Sequence, residues 1–124
     1  MKFFINRTTK EIIEVVLGND TTFTSEGSEM VELKANSTDA AGEKHVPVIT
    51  VDGNKVHVVV GSVLHPMTEE HSIQFIALET KQGVQRKALL PTDQPVADFL
   101  LAEGDEVVAA YEYCNLHGLW KVEA

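Results

Sequence analysis

Apolar residues along the chain come in short runs rich in Val and Ile, each closed by turn-forming residues, and never recur at the three-four spacing of a long amphipathic helix. The pattern predicts strands at Ile12–Leu17, Met30–Lys34, His45–Val51, Lys55–Val60, Ser72–Glu79, Val84–Leu90, Val96–Leu101 and Glu106–Tyr113. Asp52-Gly53-Asn54 and Lys81-Gln82-Gly83 read as hairpin loops whose glycines supply positive φ, and Glu103-Gly104-Asp105 marks a third break. Short strands at regular spacing with no helices between them imply an all-β fold, with an immunoglobulin-like antiparallel β-sandwich as the commonest solution.

The chain has 124 residues, one domain's length, and can bury an ordinary core without a disulfide. The stretch NSTDAAG at 36–42 is small and polar and reads as a linker, giving an N-terminal piece over residues 1–36 and a main β-domain over residues 37–124. A piece that short cannot hold a core alone, so it either docks on the main domain or on a partner subunit, or it once had another staple. Ten Lys and Arg against 19 Asp and Glu give a formal charge of -9, which disfavours nucleic acid and anionic membrane as partners. The single Cys excludes an internal disulfide and suits a reducing cytosol. The start, MKFFINRTTKEIIEVV, reaches charge after a very short apolar run, and no stretch approaches the about 18 apolar residues of a membrane span. A cytoplasmic location is expected.

The chemistry concentrates in three stretches. GEKHVP carries His45, LHPMTEEH carries His65 and His71, and CNLHG carries Cys114 and His117. All lie at predicted strand ends or in loops, which converge at the poles of a sandwich, whereas His57 lies inside a strand. Imidazole is the commonest metal ligand, and a thiolate beside it favours a transition metal over calcium or magnesium. A Cys–His hydrolase would leave three loop histidines without a role. Four imidazoles and a thiolate, if all bind, exceed the usual coordination number of structural zinc and leave one octahedral position open, as suits iron acting on a small oxygen species. A blue-copper electron carrier on a β-sandwich is the alternative, although GLWKVEA after His117 holds no axial methionine. A plain β-sandwich interaction module with incidental histidines is a third.

The segments EKHVP at 43–47, HPMTEEH at 65–71 and CNLHGLW at 114–120 are similar to the Glu-Lys-His-Val-Pro, His-Pro-Met-Thr-x-x-His and Cys-Asn-x-His-Gly-x-Trp patterns of the superoxide reductases, the desulfoferrodoxin and neelaredoxin family. The resemblance is strong from about residue 40 to 124. It implies a mononuclear non-haem iron with His45, His65, His71 and His117 as equatorial ligands and Cys114 as the axial thiolate, with His57 outside the set. The N-terminal piece resembles a small desulforedoxin-like β module, but Ser25 and Glu26 stand where the family's Cys pair would be, and FFINRTTKEI contains no Cys. One iron per chain is therefore expected, and pairing of this module between subunits implies a homodimer or homotetramer.

The reaction this resemblance implies is one-electron reduction of superoxide to hydrogen peroxide, with rubredoxin as the usual external donor. Superoxide is an anion and the chain carries -9, so a local positive group must focus the field at the site, and Lys44 beside His45 is that group. Glu43 resembles the family's carboxylate that caps the sixth position of the oxidised iron. The backbone N–H groups of Leu116 and His117 are expected to hydrogen-bond the sulfur. For Met67, Tyr113 and Trp120, core packing is the expectation over a role in the site. Pro47 and Pro66 stiffen the loops that carry ligands.

Overall fold

The computed structural model describes residues 1–19 and 22–124 and divides into two compact units, Met1–Lys34 and Ala35–Ala124. The first holds β1 (Phe3–Ile5), β2 (Ile12–Glu14), β3 (Thr24–Ser25), β4 (Ser28–Glu29) and β5 (Val31–Leu33). Three of these form an antiparallel sheet in the order β2-β1-β5, and β3 and β4 form a separate hairpin. Successive strand residues face opposite sides, so burial of Phe3, Phe4 and Ile5 alike means that β1 is covered on both faces. The β3–β4 hairpin turns at Glu26 and Gly27, with φ of 50° and 72°, the pair of positive values a type I′ turn requires.

Asn6 staples this unit. It is 1% exposed, its Nδ2 donates to Ser25 O at 3.0 Å, and its Oδ1 accepts from the N–H groups of Thr8 and Thr9 at 2.9 and 3.1 Å. Ser25 Oγ also donates to Glu11 Oε1 at 2.7 Å. Hydrogen bonds thus tie the 6–11 turn to the segment around Ser25.

The second unit opens with α1 (Gly42–His45) and continues through β6 (Pro47–Asp52), β7 (Lys55–Val60), β8 (Ile73–Thr80), β9 (Gly83–Ala88), β10 (Val96–Leu100), β11 (Val107–Cys114) and β12 (Gly118–Glu123). Its seven strands make two antiparallel sheets, ordered β10-β7-β6 and β12-β11-β8-β9, an immunoglobulin-like sandwich. Alternation builds the core between them: Val56, Val58 and Val60 of β7 and Ala97 and Phe99 of β10 face Ile76 and Leu78 of β8 and Ala110 and Cys114 of β11. The pairing of β11 with β8 slips between Tyr113 and Cys114, where Gln74 is an extra residue on β8. A bulge there re-aims the chain entering β8 beside Cys114.

Several elements differ from the sequence pattern. The strand expected at Ile12–Leu17 ends at Glu14, and Val16 and Leu17 are 85% and 95% exposed. His45 does not begin a strand; it ends the single turn of α1, and β6 starts at Pro47. β1 and β12 carry no clean period-two alternation, β1 being buried on both faces and β12 having Leu119 and Trp120 buried side by side. Gly53, at φ 60°, supplies the positive φ of its two-residue hairpin loop, whereas Thr80 pairs with Gly83, so that turn falls on Lys81-Gln82 and Gly83 keeps an ordinary φ. Asn36 is held by β12: Lys121 N–H donates to Asn36 Oδ1 at 2.8 Å, and Asn36 Nδ2 donates to Lys121 O at 3.1 Å.

Asn6→Ala leaves three backbone groups without their partner, and a loss of about 1–3 kcal/mol is expected. Hydrogen exchange should show faster exchange confined to residues 1–34; unchanged protection there would mean that the staple contributes nothing.

Candidate metal centre

The loops at one pole of the sandwich bring the four motif histidines and the cysteine together. Nε2 or Nδ1 of His45, His65 and His71 and Sγ of Cys114 all lie within 4.8 Å of one another. His117 completes the group, its Nδ1 lying 3.1 Å from His45 Nε2 and 3.9 Å from Cys114 Sγ. Around the ring 45-65-71-117, adjacent imidazole centroids are 4.8, 4.6, 5.1 and 4.8 Å apart with interplanar angles of 75°, 83°, 77° and 89°. Across the diagonal, His45 and His71 are 6.5 Å apart and within 29° of parallel. This is a square of alternately turned rings, and Cys114 Sγ approaches it at 3.6 Å from His65 Nε2.

Backbone carbonyls decide which nitrogen faces inward. His45 Nδ1 bonds Ala41 O at 2.7 Å, and His65 Nδ1 bonds Pro66 O at 2.6 Å, so each ring spends its Nδ1–H outward and presents a bare Nε2 lone pair to the centre. His71 Nε2 is buried without a hydrogen-bond partner. Trp120 supports two adjacent rings: it stacks on His45 at 5.0 Å and 27°, and its Nε1–H donates to His117 O at 3.0 Å. Core packing therefore understates Trp120. It describes Met67, which packs on the core and accepts Ile73 N–H at Sδ, and Tyr113, which stacks on Phe75.

Burial holds His45, His65 and His71 in the neutral form that binds metal. It lowers the pKa of His65 to about 4 and also lowers those of His45 and His71, with the neighbouring imidazoles acting in the same direction. The Lys44 ammonium adds to the effect at His45 and His71, which places its field at the ring. Burial raises the Cys114 thiol, opposed by the N–H groups of Leu116 and His117, which bond the sulfur. Buried imidazole lone pairs converging beside a thiol are a set that could hold a cation. The 3.1 Å between His45 Nε2 and His117 Nδ1 matches adjacent ligands on one ion, whose edge is about 3 Å for bonds of about 2.1 Å. Imidazole and thiolate together suit a transition metal.

Glu43 and Lys44 sit on α1 with exposed side chains. The turn after β7 fixes α1: Glu43 O accepts from Val63 N–H at 2.9 Å and Ser62 Oγ at 3.3 Å, and a Cβ on Gly61 would lie 2.6 Å from Glu43 O. His57 stands apart on the outer face of β7, paired with Asp98 at 2.7 Å.

Glu112 has no counterpart in the motif reading. It is fully buried, shares the core-facing parity of Cys114, and finds no partner for either oxygen, so burial pushes its pKa up to about 9. The sequence signal was there: in YEYC, a charged residue stands two positions before the cysteine in a strand.

The family model described as Desulfoferrodoxin matches residues 37–123. The chain belongs to the desulfoferrodoxin family. Over 123 residues it is 40% identical to the desulfoferrodoxin of Clostridium acetobutylicum, covering 99% of this chain and 96% of that one. It is 36% identical to the superoxide reductase of Pyrococcus abyssi over 111 residues, covering 76% of this chain and 96% of that one. The crystal structure of the superoxide reductase from Treponema pallidum superimposes with a TM-score of 0.85 at 37% identity, covering 98% of each chain. The family's named members are thus oxidoreductases, and the His/Cys ring lies within the matched segment.

Two outcomes follow from the geometry. Trp120 is the sole tryptophan and is stacked on His45, so titrating Fe²⁺ or Co²⁺ into the metal-free chain should change its fluorescence, and His45→Ala should abolish the response. Glu112 keeps its proton in the folded chain up to about pH 9, while in the unfolded chain it ionises near 4.5. Its raised folded pKa makes stability fall as pH rises between those values, by up to about 1.4 kcal/mol per pH unit. Urea unfolding at pH 6 and 8 should show a smaller difference for Glu112→Gln than for wild type; equal differences would contradict the assignment.

Proposed function

We propose that the chain is a superoxide reductase, converting superoxide to hydrogen peroxide with one electron and two protons at a single iron held by His45, His65, His71, His117 and Cys114. The observation that carries this reading is the square of four imidazoles with one buried thiol against it, in a chain of the desulfoferrodoxin family. Four imidazoles exceed the two of a His₂Cys blue-copper site, which sets the copper alternative aside. Iron bound there supplies the electron and is restored by an external one-electron donor such as rubredoxin.

The chain's own residues do the rest. His45, His65 and His71 would hold the iron through Nε2 and His117 through Nδ1, each as a neutral ring. Cys114 would hold the iron as a thiolate and supply electron density that favours release of peroxide, while the N–H groups of Leu116 and His117 hold its sulfur in place and moderate that donation. Lys44 offsets the charge of -9 locally, drawing the superoxide anion to the open face and then hydrogen-bonding the reduced product so that protons arrive there. Glu43 carries a hard carboxylate that would suit oxidised iron better than reduced iron.

Residues 1–36, as a cysteine-free desulforedoxin-like module, hold no second iron. The module pairs with another copy, giving a homodimer or homotetramer in a reducing cytoplasm, and residues 37–124 form the iron-binding domain.

Rapid mixing of reduced, iron-loaded protein with superoxide tests the reading. It should yield one peroxide per superoxide with no oxygen release, and Lys44→Ala should slow the bimolecular step about tenfold and flatten its salt dependence. Release of oxygen in half-stoichiometric amount would identify a dismutase instead.

A further inference from the structure

The four rings are not held alike. His45 and His65 are tied through Nδ1 to carbonyls, and His117 is tied through its own carbonyl to Trp120. His71 Nε2 is buried with no hydrogen-bond partner, so the direction of this ring rests on how its backbone is held. On one side Thr68 holds it, accepting His71 N–H at Oγ1 at 3.1 Å and donating its own N–H to His71 O at 2.9 Å. On the other side stands Asn115. Its Nδ2 donates to Glu70 O at 2.9 Å, its Oδ1 accepts from Ser72 N–H at 2.9 Å, and its backbone N–H donates to Ser72 O at 3.2 Å. These bonds grip the residues immediately before and after His71 from the residue that immediately follows Cys114.

We propose that Asn115 is the positioning residue for His71: by clamping Glu70 and Ser72 it fixes, relative to the thiolate, an imidazole whose buried Nε2 has no partner. The inference rests on the five-donor reading of the site. The carboxamide suits the task because it presents a donor and an acceptor side by side, matching a carbonyl and an N–H two residues apart in the facing chain. Aspartate keeps only the acceptor and alanine keeps neither, while the backbone bond from Asn115 to Ser72 survives in both. Loss of the clamp leaves His71 free to swing off the ring, so the site loses this donor before it loses its fold.

A double-mutant cycle on the full chain tests this, titrating Co²⁺ into the metal-free protein and reading affinity and the thiolate-to-metal absorption band. Asn115→Ala should weaken binding about 10- to 100-fold and shift the band toward that of His71→Ala. In the His71→Ala background, the same substitution should cost less than about twofold, because the residue through which Asn115 acts is already gone. Asn115→Asp should fall between wild type and Asn115→Ala, and its matched shape carries the test if alanine prevents folding. Unchanged binding in the Asn115 variants, or an equal loss in both backgrounds, overturns the positioning role while leaving the five-donor site intact. A wild-type chain that binds Co²⁺ without a thiolate band overturns the five-donor reading, and the positioning role with it.

Discussion

Four imidazole lone pairs and a thiol, buried at one pole of a β-sandwich and aimed at a common point, form the constraint on which the rest of this structure depends. The rings are neutral, two have spent their N–H outward on Ala41 and Pro66, and the thiol is pushed toward its protonated form, so at least two bare lone pairs converge beside it. A cation at the centre would turn this convergence into a stabilising arrangement. The fold holds the donors with devices that make sense only in its service. The turn after β7 presses α1 into place at Gly61, the bulge at Gln74 re-aims the start of β8, and Trp120 braces His45 and His117 together.

The strands that place these loops were legible wherever one face is buried and the other wet, as in β7 and β10. They were obscured where both faces are covered, as in β1, because burial on both sides erases alternation. The start of β6 was misplaced because the His-Val-Pro-Val-Ile-Thr-Val run is β-branched and mostly apolar, and only the proline hints that the strand begins later. One turn of helix has no periodicity to read, yet α1 carries Glu43, Lys44 and His45.

At the site, residue identity was legible and orientation was not. Loop histidines beside Pro and Gly, with one Cys-x-x-His, named the donor set. Which nitrogen faces inward is set by the carbonyls of Ala41 and Pro66, and a carbonyl has no signature in sequence because every residue has one. Asn115 was visible as a letter of the motif, but its grip on Glu70 and Ser72 appears only once the β7–β8 loop lies against the β11–β12 turn. Glu112 shows the converse: its parity with Cys114 was readable, and its burial without a partner follows from the second sheet closing over it.

The central claim is that five side chains of this chain bind one iron, and X-ray absorption at the iron edge of the reduced, loaded protein tests it most directly. The account predicts four nitrogen scatterers at about 2.1 Å and one sulfur at about 2.3 Å, with the sulfur lost in Cys114→Ser. A spectrum of the wild type without sulfur, or with only two nitrogens beside it, would contradict it.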